Sequence, residues 1–244
     1  NGPIYDCIIP VSGGKDSTYQ VYYLKKIHNM NPLLVTFNHT FNTNVGMRNL
    51  NNLLEKFNCD LVRFTPNLSS IKKITRFMLK EVGDVTWHYH AGIFSFPSQI
   101  AVRYKIPLVM WGEEGFSELG GMFNADDFIE FTKMKRQEHD MRGFEPHDIA
   151  MREDSQLEIN ELGAYIYPSD EEIESVGVRG LYLSNYIDWD AKKQTEFIIN
   201  EYGFEPIQNE RDRTFEKYSK IEDAANGTHD YLKYLKFGYG RATD

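Results

Sequence analysis

The chain has 244 residues, 41% hydrophobic and 14% aromatic, a balance that supports a sizeable core and excludes a disordered or collagen-like protein. Its net charge of −9 argues against a nucleic acid as the main partner, because neutralising phosphates takes clustered Lys and Arg. No run approaches the roughly 20 apolar residues of a membrane helix, no signal-peptide pattern opens the chain, and the two cysteines, Cys7 and Cys59, read as reduced core residues of a cytoplasmic protein.

Ile8, Ile9 and Val11 make a short apolar run, a strand that ends in a glycine pair. Val21, Leu24 and Ile27 follow at helical spacing. Residues 33–37 read as a second strand, and Met47, Leu50, Leu53, Leu54 and Phe57 mark one helix face. A third strand at 61–64 precedes helical stretches at 71–82 and 90–104, and Leu108, Val109 and Met110 form a fourth strand. This alternation predicts an α/β fold: a Rossmann-like, mostly parallel sheet with helices on both faces. Ligands bind beyond the carboxyl ends of such strands, where residues 12–17, 38–44 and 111–115 fall.

From about 116 to 163 the pattern degrades into polar sequence with scattered Met and Phe, expected as an excursion over the mouth of the site. Residues 180–186 (GLYLSNY) read as a fifth strand. The domain is expected to span 1–190, with 191–244 a mostly helical segment packed on it and serving substrate or partner binding.

Gly13 and Gly14 let the backbone approach a phosphate, and the unpaired N–H groups opening the next helix favour an anion. Ser12 and Ser17 add hydroxyl donors and Lys15 a charge. Asp16 opposes phosphate unless it holds Mg²⁺ or faces away as a helix cap. A Walker loop is excluded, because Ile9 stands where its first Gly belongs and Asp16 follows the lysine. The dinucleotide fingerprint is absent too.

The string at 9–17 (IPVSGGKDS) resembles the PP-loop of the ATP pyrophosphatases. More of the chain resembles the N-acetyl sugar amidotransferases of bacterial surface-polysaccharide (lipopolysaccharide O-antigen) pathways. The strings are SGGKDSTYQ (12–20), NPLLVTFNH (31–39), WGEE (111–114), GVRGLYLSNYIDW (177–189) and HDYLKYLKFGYGRATD (229–244). Members of that family are also similar in carrying a cysteine-containing N-terminal segment, which this sequence does not show, so no metal-ligating cysteine is expected here.

The resemblance implies ATP and Mg²⁺ as cofactors and adenylation of an acetamido oxygen of a nucleotide-linked sugar. Ammonia then displaces AMP and leaves an acetamidino group. Lys15, the loop and Mg²⁺ on Asp16 would stabilise the phosphates. Phe37, Asn38 and His39 stand to meet adenine and ribose, although Phe37 also reads as a plain core residue. Gly112, Glu113 and Glu114 follow the fourth strand, where a carboxylate would bind Mg²⁺ or take a proton from ammonia, or else form a solvated acidic turn.

Arg179, His229, Lys233, Lys236 and Arg241 are the candidates for the anionic sugar nucleotide. Positions 229, 233 and 236 share a face if a helix begins near 229. His88 and His90, with no Cys or carboxylate at ligand spacing, read as cap or core residues. Neither cysteine has the setting of a glutaminase nucleophile, so a separate glutaminase subunit is expected to supply ammonia. Two alternatives stay open: another enzyme of this loop class, such as a tRNA thiolase, and an ATP-sensing module without turnover.

Overall fold

Apolar runs suit strands covered on both faces, and the sheet has five strands, the outer two each carrying an arginine. The computed structural model describes residues 4–113, 130–208 and 216–238. In it β1 (Cys7–Pro10), β2 (Pro32–Phe37), β3 (Leu61–Phe64), β4 (Leu108–Trp111) and β5 (Arg179–Tyr182) are all parallel, in the order β3-β2-β1-β4-β5. The chain winds outward from β1 through β3 and then crosses to the other side of β1 to form β4. That reversal opens a crevice between the carboxyl ends of β1 and β4, the place where open α/β sheets bind ligands.

Side chains alternate between the two faces of each strand, so each strand feeds two cores. Cys7, Ile9, Val11, Leu34 and Met110 pack beneath α1 (Lys15–Tyr22) and α2 (Asn44–Phe57). Ile8, Leu33, Val35, Phe37 and Val109 pack beneath α3 (Leu68–Val82) and α4 (Trp87–Tyr104). A short π-helical turn, Tyr23–Ile27, extends α1. Thr43 caps α2 by accepting from Gly46 N at 3.1 Å, and Asn58 ends the helix in the left-handed region at φ 49°.

Residues 130–163 are placed differently from the expectation. A π-turn at Lys135–Asp140 and a 3-10 turn at Ile159–Tyr165 pack on α4, a 3-10 turn at Glu153–Ser155 packs on α3, and α5 (Pro146–Ala150) packs on both 3-10 turns. Met141, Ile149, Leu157, Leu162 and Tyr165 are buried there in the same core as α4, not stretched over the mouth. Short turns bury single side chains at irregular intervals, so the sequence shows no period. The rest of that expected excursion, 116–129, lies outside the described residues.

α6 (Asp170–Val176) begins at a reciprocal cap between Ser169 and Glu172 and leads into β5. The fifth strand stops at Tyr182 and turns into a 3-10 segment, Leu183–Asn185, instead of running to 186. α7 (Ala191–Tyr202) packs on α1, and α8 (Asn226–Phe237) follows an irregular stretch. Among the described residues no helix is long and apolar enough to cross a membrane.

Candidate active site

β1 delivers the chain to the crevice, and a bond from Val11 N to the Val35 carbonyl at 2.9 Å holds it in the sheet one residue longer. The turn then depends on two glycines. Gly13 sits at φ +84°, and a β-carbon on it would lie 2.4 Å from the Gly46 carbonyl oxygen. Gly14 caps α1, and its N–H donates to Ser12 Oγ at 3.2 Å. The first-turn amides of α1 have no helical carbonyl to bond and point at the crevice mouth. Ser17 Oγ donates to the Gly14 carbonyl at 3.1 Å, so its hydroxyl braces the turn. Lys15 Nζ lies 2.6 Å from Asp16 Oδ1, with the lysine side chain only 11% exposed.

The crevice's other wall is the end of β4. A β-carbon on Gly112 would lie 3.9 Å from Asp16 Cβ and 3.6 Å from the Trp189 indole. The two strings at 12–17 and 111–113 therefore meet in space as expected. Glu113 follows on the surface; Glu114 lies outside the described residues.

A carboxyl group that sequence reasoning missed completes this arrangement. Residues 221–224 run antiparallel to 41–43: Thr43 N donates to the Glu222 carbonyl at 3.0 Å and Ala224 N to the Phe41 carbonyl at 2.8 Å. Gly46 makes room, since a β-carbon there would lie 2.6 Å from Glu222 Cα. The Glu222 side chain then reaches the loop, where Ser12 Oγ donates to its Oε1 at 3.4 Å. Its Oε2 is buried with no hydrogen-bond partner among the described residues. Burial pushes this carboxyl above the usual carboxylate range, and the nearby Asp16 charge adds to the rise. No local pattern marks Glu222, because its partners are some 210 positions away.

Asp16 and Glu222 together fit a magnesium ion. Hard divalent cations take oxygen ligands and are commonly held by one or two carboxylates plus substrate phosphates. An unpartnered, solvent-shielded carboxylate oxygen beside a second carboxylate is that kind of donor set.

On the β2 side, Phe37 is 4% exposed and packs against Phe64, Phe96 and Tyr165, so it is a core residue with no face left for adenine. Asn38 braces the turn: its Nδ2 donates to Thr65 Oγ1 at 3.0 Å and its Oδ1 accepts from Thr40 N at 3.0 Å. His39 lies 4.0 Å from Asp223, and burial lowers its pKa against the pull of that carboxylate. Tyr89 Oη donates to Asp223 Oδ2 at 3.2 Å. His88 is fully buried with its pKa lowered to about 4 by burial, and His90 Nδ1 lies 3.1 Å from Thr86 Oγ1, the core and capping roles expected of both.

The sugar-nucleotide candidates do not converge on the loop. Arg179 opens β5 opposite Leu108, at the amino edge of the sheet, and its guanidinium engages Glu130. Four residues of extended chain, about 10 Å, separate it from the strand's other end. On α8, Lys236 Nζ donates to the Val82 carbonyl at 2.6 Å, and His229 lies against Asp230 at 3.5 Å and the His90 ring at 6.4 Å. Lys233 shares their helix and is half-buried. Lys236 thus faces α3 and His229 faces α4. Arg241 lies outside the described residues.

Both cysteines are free; Cys7 is buried in β1 with its thiol pushed up to about 12 by burial, and Cys59 is half-buried just before β3 with its thiol also raised by burial.

No family model matches the sequence, and no curated protein does. Among solved structures, the chain is similar to a predicted subunit of a tRNA methyltransferase from Methanocaldococcus jannaschii, with 16% identity over 90% of this chain and 95% of that one, TM-score 0.35. NMN synthetase from Francisella tularensis matches with 12% identity over 85% and 90%, TM-score 0.35. The U34-tRNA thiolase NcsA from Methanococcus maripaludis, with its 4Fe-4S cluster, matches with 13% identity over 83% and 72%, TM-score 0.31. Overlap this loose says nothing of activity, and the functional reading rests on the chain's own residues.

Proposed function

We propose that the chain is an ATP-dependent amidotransferase acting on a nucleotide-linked N-acetyl sugar. The observation that carries the ATP part is the turn Ser12-Gly13-Gly14, which opens α1 at the crevice between β1 and β4. The sugar part rests on the resemblance of the strings at 12–20, 31–39, 111–114, 177–189 and 229–244 to the N-acetyl sugar amidotransferases.

In the reaction, the acetamido oxygen attacks the α-phosphorus of ATP and the bond to the β-phosphate oxygen breaks, releasing pyrophosphate. Ammonia then adds to the activated carbon, and AMP departs with the oxygen, leaving an acetamidino group. The loop amides bind phosphate oxygens, and Lys15, released from Asp16, neutralises charge that builds on them. Asp16 and Glu222 would hold Mg²⁺, which offsets phosphate charge when bound. Glu113 stands beside the crevice to accept a proton from the incoming ammonia.

Ammonia is proposed to come from a separate glutaminase subunit. A buried thiol at about 12 in β1 is no nucleophile, and Cys59 is likewise raised.

The test is AMP and pyrophosphate release from ATP and Mg²⁺, with ammonium chloride and a panel of UDP- and CMP-linked diacetamido sugars. Sugar-dependent release, with an acetamidine product by mass, is the expected result. Release driven instead by unmodified tRNA and a sulfur donor would return the tRNA thiolase reading, against which the net charge of −9 counts. Tight ATP binding with no AMP under any condition would make the chain a sensor.

A further inference from the structure

A groove of about 750 Å³ lies between α1 and α7, walled by Tyr19, Tyr22, Trp189 and Phe197, with Asp188 and Gln194 among its polar residues. Tyr19, Asp188 and Trp189 lie inside the strings at 12–20 and 177–189, but none of the lining residues has a role in binding assigned from the sequence. On α1, Lys15, Tyr19 and Tyr22 stand at i, i+4 and i+7, and so the groove's tyrosines share a face with the lysine of the phosphate loop. At the groove's inner end the Trp189 indole lies 3.6 Å from the position of a β-carbon on Gly112, which is itself 3.9 Å from Asp16 Cβ.

The rings meet edge to face, Tyr19 with Trp189 at 6.1 Å and Tyr19 with Phe197 at 6.4 Å, which leaves ring faces and edges along the wall. Two polar atoms in the same residues lack partners. Among the described residues, Trp189 Nε1 is a buried donor with no acceptor, and Gln194 Oε1 a buried acceptor with no donor, on a residue only 6% exposed. Buried polar atoms are nearly always paired, so an orphan donor and an orphan acceptor on two residues lining one groove ask for a ligand. Both are shut off from water, so such a ligand reaches them by displacing the indole and the amide slightly.

We infer that this groove seats the sugar ring of the acceptor, with the acetamido group to be adenylated directed inward past Trp189 toward Asp16. Apolar C–H faces of a pyranose lie on aromatic walls, and a hydroxyl group, or a second acetamido group that does not react, offers one donor and one acceptor together. Asp188 on the rim accepts from further hydroxyls. The inference rests on the proposed amidotransferase reading, and it relocates sugar recognition from α8 to α7.

The test uses the full chain with a UDP-linked diacetamido sugar, read by tryptophan emission and by calorimetry. Binding should shift the emission, and W189F should abolish the shift, because Trp87 and Trp111 lie in the core. Q194L should raise the sugar KM about tenfold while ATP affinity, measured without sugar, stays put; D188N, a rim change safe for folding, should raise it severalfold. Sugar-dependent AMP formation with the same KM in all three variants would overturn the groove and leave the amidotransferase reading standing. If no sugar drives AMP formation, that reading falls, and methyl glycosides of N-acetyl sugars decide the groove separately: emission shifts lost in W189F would support it, and no shift would overturn it.

Discussion

A β-carbon on Gly14 would lie 2.6 Å from Glu222 Oε1, and one on the preceding Gly13 would lie 2.4 Å from the Gly46 carbonyl oxygen. The two glycines therefore face neighbours of different kinds. Glu222 ends a flexible side chain that can swing aside, whereas the Gly46 carbonyl is backbone at the first turn of α2, and Gly13 also needs φ +84°.

Gly13→Ala should cost about 1–3 kcal/mol of stability, the usual range for backbone strain compounded by a clash. Gly14→Ala should fold with a near-normal melting temperature but lose the Glu222 contact. Equal melting temperatures for both variants would contradict this geometry.

Lys15→Ala should abolish AMP formation while leaving the fold intact, since among the described residues its Nζ bonds only a neighbouring side chain, Asp16. Circular dichroism and single-turnover AMP release check the two halves. Turnover within tenfold of the parent would remove Lys15 from the chemistry.

Glu222→Gln should raise the Mg²⁺ concentration needed for tight nucleotide binding by tenfold or more, measured with a non-hydrolysable ATP analogue or as Mn²⁺ affinity by paramagnetic resonance. It should not lower stability, because removing a buried, unpaired charge relieves desolvation. An unchanged metal requirement would take Glu222 out of the cation site.

Two buried groups should give opposing pH slopes. Asp140, 1% exposed, has its carboxyl raised to about 6 by burial, so its contribution is present at low pH and is lost as pH rises from about 4 through 6. His88, lowered to about 4 by burial, contributes stability above pH 6.5 that is lost as pH falls toward 4. Urea titrations between pH 4 and 7.5 should show Asp140→Asn more acid-sensitive than the parent and His88→Gln less so. Each difference should be on the order of 2 kcal/mol. Slopes of the same sign in both variants would refute the assignment.

Phe37→Ala should cost about 3–5 kcal/mol, as a large core ring does. At a temperature where it remains folded, its ATP affinity should match the parent. Arg179→Ala, at the far edge of the sheet, should leave the sugar KM unchanged; a tenfold rise would restore Arg179 to the substrate site.

Much of the fold was legible because it is written in local periods. Buried strands read as apolar runs, the α2 face reads at helical spacing, and two adjacent glycines after a strand mark a tight turn before a helix. The meeting of residues 12–17 with 111–113 also followed, from the rule that ligands bind at the carboxyl ends of parallel strands. The excursion over the mouth did not hold for residues 130–163, because their 3-10 and π-turns bury Met141, Leu157 and Leu162 without a period.

By itself the sequence determined the alternation of strand and helix and the phosphate-suited turn at Ser12-Gly13-Gly14, since both depend on backbone preferences within a few residues. Tertiary structure alone decided that Phe37 is a core ring, that Arg179 faces the wrong edge of the sheet, and that Glu222 and Trp189 flank the loop. Those are contacts between positions tens to hundreds of residues apart. They arise when helices dock on the sheet, a step governed by burial and shape, on which no short-range pattern depends.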